Sequence, residues 1–287
     1  MMTRPKGKER FIYLFLVFSG YATLTILCVI MGYIFLKGIG HVSLDFLTQS
    51  PRKMGAEGGI FPVIVGTLYF VALTVLIAAP IGVGAAIYLN EYTREGTITK
   101  IIRFGTELLA GIPSIIFGLF GYAFFVVLLG DFTQGWSLLS GALTATCMVL
   151  PTIVRTSEEA LKSVPRALRE ASLALGATKW QTIYKIVLPT GLPGILTGII
   201  LGIGRAIGET AALLLTLGGS LLLPQSIFHG TRTLSMHLYM VAMETGNMDA
   251  AFATGVILII IVLLINFTAN YLIKKLINRN STAAIRR

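Results

Sequence analysis

Long uncharged runs alternate with short charged segments along the whole chain. Residues 11–36 carry no charge between Arg10 and Lys37, and 58–90 carry none between Glu57 and Glu91. The same holds for 108–130, 132–154 and 250–273. Each run exceeds the ~20 residues with which a helix crosses a hydrocarbon core of ~30 Å. A further apolar stretch, 186–231, is interrupted by Arg205 and Glu209. The pattern predicts six membrane-spanning helices at about 11–36, 62–90, 106–130, 134–155, 188–217 and 250–273. Residues 218–235 contain Pro224, His229, Gly230 and Arg232, and are too apolar for an ordinary loop. They are expected to lie on, or dip into, the outer surface.

Composition agrees with this pattern. Of 287 residues, 55% are hydrophobic and 13% charged, about half the ~25% charge of a soluble domain. That excludes a soluble enzyme, a nucleic-acid-binding domain and a disordered chain. The fold class is an all-α integral membrane protein. The net charge of +10 reports topology. Of the 23 basic residues, 18 fall on the side of the termini, at Arg4–Arg10, Arg94–Arg103, Arg155–Lys185 and Lys274–Arg287. Lys37, Arg52, Lys53 and Arg232 stand opposite, and Arg205 lies inside a span. The positive-inside rule then puts both termini in the cytoplasm, and no nucleic-acid partner is needed to account for the charge. The first apolar run is too long for a signal-peptide core and should remain as an anchor. Cys28 and Cys147 fall in spans and read as packing residues. His41, His229 and His237 lack ligand spacing, so no metal is expected.

The loop from Arg155 to about Pro189 is the unusual connection. Leu161, Val164, Leu168 and Leu175 recur at helical offsets among charges, and Pro165 and Gly176 break the pattern into short pieces. Such a helix can lie on lipid headgroups, cover a neighbouring helix end, or dock into a groove on a cytoplasmic partner. The segment reads Glu170-Ala-Ser-Leu-Ala-Leu-Gly176, then nine residues, then Ile186-Val-Leu188-Pro189. It resembles the EAA loop of ABC-type import permeases at every spacing, with Ser172 in place of the second alanine. Small residues let a short helix sink into a cleft, and Gly176 permits a sharp turn after it. Leu188-Pro189 marks the start of the next membrane helix.

Three further segments narrow the resemblance: Gly58-Gly-Ile-Phe-Pro-Val-Ile-Val-Gly-Thr67, Leu109-Ala-Gly-Ile-Pro-Ser-Ile-Ile-Phe-Gly118 and Arg205-Ala-Ile-Gly-Glu-Thr210. Over about 55–275 the chain resembles the PstA-type permeases of phosphate-specific ABC importers. The sister PstC-type permeases share the last segment. The resemblance implies a type I (MetI-like) architecture in a bacterial cytoplasmic membrane. It divides the chain into an N-terminal arm, first helix and external loop (1–55), a permease core (56–275) with coupling loop 155–189, and a basic tail (276–287). It implies a function: half of a phosphate pathway, driven by alternating access. It also implies partners: a PstC-like permease, two PstB-like ATPases, and a PstS-like phosphate-binding protein meeting segments 38–57 and 218–249. Glu170, Ala171, Ser172, Gly176, Ile186, Leu188 and Pro189 are the expected ATPase-coupling residues. The chain has no G-x-x-x-x-G-K-[ST] and no cytoplasmic segment long enough for an ATPase. It is therefore expected to be no enzyme and to hold no cofactor, with ATP and Mg on the partner. A permease for another oxyanion stays open, as does the separate class of a self-contained secondary transporter.

Arg205 and Glu209 are the candidate pathway residues. Their i, i+4 spacing puts both on one face of a continuous helix. An intramembrane arginine costs about 2.5–3.5 kcal/mol on insertion scales, so its face must meet protein or a water-filled cavity. The pair can neutralise itself and staple the bundle. Alternatively, Arg205 offers a donor fork to phosphate while Glu209 orients it, or phosphate competes with Glu209 for Arg205. Gly194, Gly198 and Gly202 form a ridge on which another helix can approach closely. Ser114 beside Pro113 reads as part of a packing kink, and Trp136 and Tyr239 as belt residues.

Overall fold

A computed structural model describes residues 7–93 and 96–285. Arg4, Lys6, Arg94, Arg286 and Arg287 lie outside the described residues. The helices are α1 (Gly7–Gly38), α2 (Leu44–Thr48), α3 (Phe61–Ile87), α4 (Thr97–Gly111), α5 (Ser114–Gly121), α6 (Gly130–Thr133) and α7 (Leu138–Lys162). They continue with α8 (Arg166–Ala174), α9 (Lys179–Thr182), α10 (Leu188–Ile207), α11 (Ala211–Thr216), α12 (Leu234–Met240) and α13 (Met248–Ile285). Single π-turns prolong α3 (Tyr88–Tyr92), α5 (Tyr122–Leu128) and α12 (Val241–Thr245), and one joins α9 to α10 (Ile183–Val187). Two short strands, β1 (Pro51–Arg52) and β2 (Glu57–Gly58), pair antiparallel with Pro51 opposite Gly58. Helices dominate because in hydrocarbon every backbone N–H and C=O must find its partner within the chain.

Among the described residues, five helical runs are long and apolar enough to span a membrane: Arg10–His41, Phe61–Tyr92, Leu138–Lys162, Lys179–Ile207 and Met248–Tyr271. Two of the expected spans need correction. The third, expected as one helix over 106–130, is two pieces, Thr97–Gly111 and Ser114–Leu128, meeting at 103°. Pro113 explains the break: a residue before proline avoids helical geometry, and Ile112 is extended at φ −74, ψ 132. The bend is far larger than a packing kink. The fifth, expected over 188–217, ends as a regular helix at Ile207, and the shorter α11 follows.

The centre of the bundle is α7, packed between α3 and α10. Gly194 and Gly198 lie against Ala160 and Thr156 so closely that a Cβ would stand 2.5 and 2.9 Å from those side chains. Gly202 faces Ile153 in the same row. The glycine ridge therefore does seat a neighbouring helix, and that helix is α7. Phe70, Met148, Ile153, Ile207, Leu213 and Leu217 fill the interior beside it. Helix α1 packs on α13, where Gly38 meets the backbone of Phe252 and Tyr33 stacks edge-on against the Phe252 ring.

Segment 218–235, expected as an apolar lip, is tied by hydrogen bonds to the ends of two spans. The carbonyls of His229 and Ile227 accept from Leu138 N (2.9 Å) and Leu139 N (2.8 Å), free donors in the first turn of α7. Leu234 N donates to Thr67 Oγ1 inside α3 at 2.9 Å. These bonds satisfy backbone groups that regular secondary structure does not pair.

Candidate functional site

The segment expected to couple to an ATPase is built from local signals. Helix α8 ends in a Schellman turn: Gly176 N donates to Leu173 O (2.9 Å) and Ala177 N to Ser172 O (3.2 Å). Gly176 sits there at φ +83, a left-handed conformation that glycine adopts without cost. Helix α9 restarts at a capping box, in which Thr178 Oγ1 accepts from Gln181 N and Gln181 Oε1 accepts from Thr178 N. The π-turn Ile183–Val187 then precedes Leu188 and Pro189. Proline has no N–H and its ring crowds the carbonyl four residues back, and the wider turn accommodates both effects.

Glu170, Ala171 and Gly176 are exposed on this segment, as are Leu168, Leu173 and Leu175, the last at 89%. Ile186 and Leu188 are half-buried and Pro189 is exposed. Ser172 points inward, and its hydroxyl lies 2.9 Å from that of Thr182. The departure from alanine thus has a structural use, because it locks α8 onto α9. Ser172→Ala should lower the thermal stability of the protein in detergent by about 1 kcal/mol, the net worth of one hydrogen bond. An unchanged melting temperature would show that the hydroxyl pair contributes nothing.

Arg205 and Glu209 do not share a helix. Arg205 occupies the last turn of α10, Gly208 caps that helix, and Glu209 precedes α11. The same-face expectation fails for this reason, and no salt bridge among the described residues joins the two. Each charge instead sits at the helix end that favours its sign, the cation at a C-terminus and the anion at an N-terminus. Glu209 is 9% exposed, and its Oε1 accepts from Ala212 N at 3.1 Å. Its own carbonyl accepts from Ser235 Oγ at 2.6 Å, which brings the start of α12 to the same break. The ends of α10, α11 and α12 therefore converge on Gly208–Thr210. Glu209→Ala should cost about 1 kcal/mol of stability through the lost cap, and Glu209→Gln much less. Equal melting temperatures for the two variants would remove the capping role.

Arg205 makes no hydrogen bond or ion pair to any described residue. It is half-buried at the edge of an open strip of α10 formed by Thr197, Leu201 and Gly208, with free space beside Gly204. Helix α10 has 20 residues and is about 30 Å long. Arg205 and the segment 166–187 thus stand towards opposite ends of one rod.

Other residues have different surroundings from those expected. Trp136 is half exposed, yet its Nε1 donates to Leu215 O at 3.1 Å and so pins α11. Ser114 follows the bend without a side-chain cap bond. His237 is fully buried, and His41 Nε2 is 3.6 Å from Asp249 Oδ2. Among the described residues, no three His, Cys, Asp or Glu side chains are grouped to hold a metal.

Two buried charge clusters escaped the sequence reading. Glu158 takes Arg103 Nη2 at 2.6 Å and Lys162 Nζ at 2.8 Å, which fastens the bent helix α4 to α7. Glu91 takes Arg169 Nη2 at 2.8 Å. In sequence Glu91 served only to mark the end of an uncharged run. Nothing in the sequence singles it out from the other carboxylates on the basic side, such as Glu107, Glu158 and Glu170.

Comparisons with known proteins bear on the family and the fold. The family model described as binding-protein-dependent transport system inner membrane component matches residues 78–281. The chain is 37% identical over 263 residues to a probable ABC transporter permease protein, YqgI, of Bacillus subtilis, covering 86% of this chain and 88% of that protein. It is 39% identical over 216 residues to the phosphate transport system permease protein PstA 1 of Mycobacterium tuberculosis, covering 74% and 69%. Among solved structures, a chain of a bacterial alginate ABC transporter superposes with a TM-score of 0.70 at 18% identity, covering 94% of this chain and 96% of that one. That likeness speaks for the fold.

Proposed function

The chain belongs to the binding-protein-dependent transport system inner membrane components, as a PstA-type permease of an ABC importer with the MetI-like fold, and from that premise we propose that it forms half of an ATP-driven phosphate pathway. The relatives named for phosphate transport support that cargo. A second, homologous permease of the PstC type encloses the pathway. Two PstB-like ATPase subunits carry ATP and Mg and grip α8 and the turn at Gly176. A phosphate-loaded PstS-like binding protein docks on the opposite end, at segments 38–57 and 218–249. The end that gathers Arg103, Lys162 and Arg169 faces the cytoplasm of a bacterial inner membrane.

The observation that carries this reading is the outward-facing α8. Its leucines remain exposed although its C-terminal end closes in a Schellman turn and Ser172 bonds it to α9, as suits a surface held ready for a partner. Arg205 supplies the anion chemistry. A guanidinium unpaired among the described residues, beside an open helix face, can exchange the hydration of phosphate for a fixed bidentate fork.

The cargo is tested by reconstituting the four kinds of subunit and measuring ATP hydrolysis with binding protein and phosphate, sulfate or molybdate. Stimulation by phosphate alone is expected. Stimulation by sulfate or molybdate without phosphate would assign the chain to another oxyanion.

A further inference from the structure

Arg169 ties the outward helix α8 back to two spans. Its Nη1 donates to Val164 O at 2.6 Å, in the linker after α7, and its Nη2 to Leu161 O at 2.8 Å, in the last turn of α7. The same guanidinium grips Glu91 Oε1 through Nη2 at 2.8 Å and Nε at 3.3 Å. Glu91 stands in the π-turn that prolongs α3, where Asn90 Nδ2 also donates to it at 2.7 Å. The pair is largely buried, with the two side chains 19% and 9% exposed. A second tie lies alongside: Lys179 Nζ stands 4.8 Å from the centre of the Tyr92 ring, in the same π-turn.

A planar fork bonded in three directions fixes orientation as well as distance. Burial keeps the charges close and weakly screened. The covalent links of α8 are softer. Ser163–Pro165 joins it to α7 through extended backbone at Pro165 (φ −56, ψ 133), and the left-handed Gly176 joins it to α9. A short helix held only by such junctions swivels when pushed. With Arg169 in place, a push on α8 reaches the ends of both α3 and α7.

We propose that Arg169 is a positioning residue for energy coupling: through its buried pair with Glu91 it passes displacement of α8 to the spans α3 and α7. The proposal rests on the reading of α8 as the ATPase-docking helix.

The test uses the complete reconstituted importer, with ATP hydrolysis and uptake of radiolabelled phosphate measured in the same vesicles. Arg169→Lys and Glu91→Gln should leave the ATPase bound and hydrolysing, while phosphate moved per ATP falls about tenfold, within the usual range of coupling between sites. Either single variant leaves a buried charge badly matched, so the paired variant Arg169→Met with Glu91→Leu is decisive. Replacing a buried ion pair with apolar groups preserves folding but supplies no directional fork. It should assemble and remain uncoupled. Normal phosphate per ATP in the paired variant overturns the proposal. So does a loss of uptake that merely tracks a loss of bound ATPase, because Arg169 would then only shape the docking surface. Gly176→Asp, assayed in parallel, separates the two ideas: if it leaves the ATPase bound, the docking reading fails whatever Arg169 does.

Discussion

Arg205→Ala is expected to cut phosphate uptake at least about thirtyfold, the equivalent of about 2 kcal/mol for losing one partner of a desolvated charge pair. The importer should still assemble. That separation follows from the geometry. Arg205 has no bonded partner among the described residues, so its removal leaves no carboxylate orphaned. Glu209 stays satisfied by Ala212 N and the start of α11. Arg205→Lys keeps the charge but loses the planar fork, and should fall between the wild type and the alanine variant. Uptake at wild-type level in Arg205→Ala would take the residue out of the pathway. Full activity in Arg205→Lys alone would reduce its role to bare positive charge.

Gly176→Asp should have the other large effect, a loss of ATPase from the purified complex and with it all ATP-driven uptake. Open space surrounds Gly176, with no atom within 4 Å of where a Cβ would stand. Aspartate and asparagine are the side chains that best tolerate its left-handed φ. The turn should therefore survive, while a new carboxylate projects into the open space at the end of α8, where the proposed ATPase would dock. Gly176→Asn adds similar bulk without charge and should retain most of the bound ATPase. Wild-type recovery of ATPase with Gly176→Asp would show that this turn is not gripped.

Much of the site was legible because its signals are local. The turn at Gly176, the small residues before it and the ridge of Gly194, Gly198 and Gly202 are each fixed by a few neighbouring side chains. The break after Ile207 was harder to read, since apolar residues run on past it through Leu217 and hydropathy does not distinguish one helix from two. Gly208 and Thr210, a helix stop and a helix start flanking Glu209, were the available signal. Pro113 announced a break, but nothing local sets a bend of 103°. That angle depends on how α4 is held against α7 by Arg103 and Glu158, 55 positions apart in the chain. The Arg169–Glu91 contact joins residues 78 positions apart. Such pairs follow from how the spans assemble and have no periodic signature.

The central claim is that this chain moves its cargo only when a separate ATPase drives it. It is tested most directly by radiolabelled phosphate uptake into proteoliposomes holding the permease pair and binding protein, with and without the ATPase and ATP. Uptake that requires both ATPase and ATP is the predicted result. Uptake by the permeases alone, driven by a proton or sodium gradient, would contradict it.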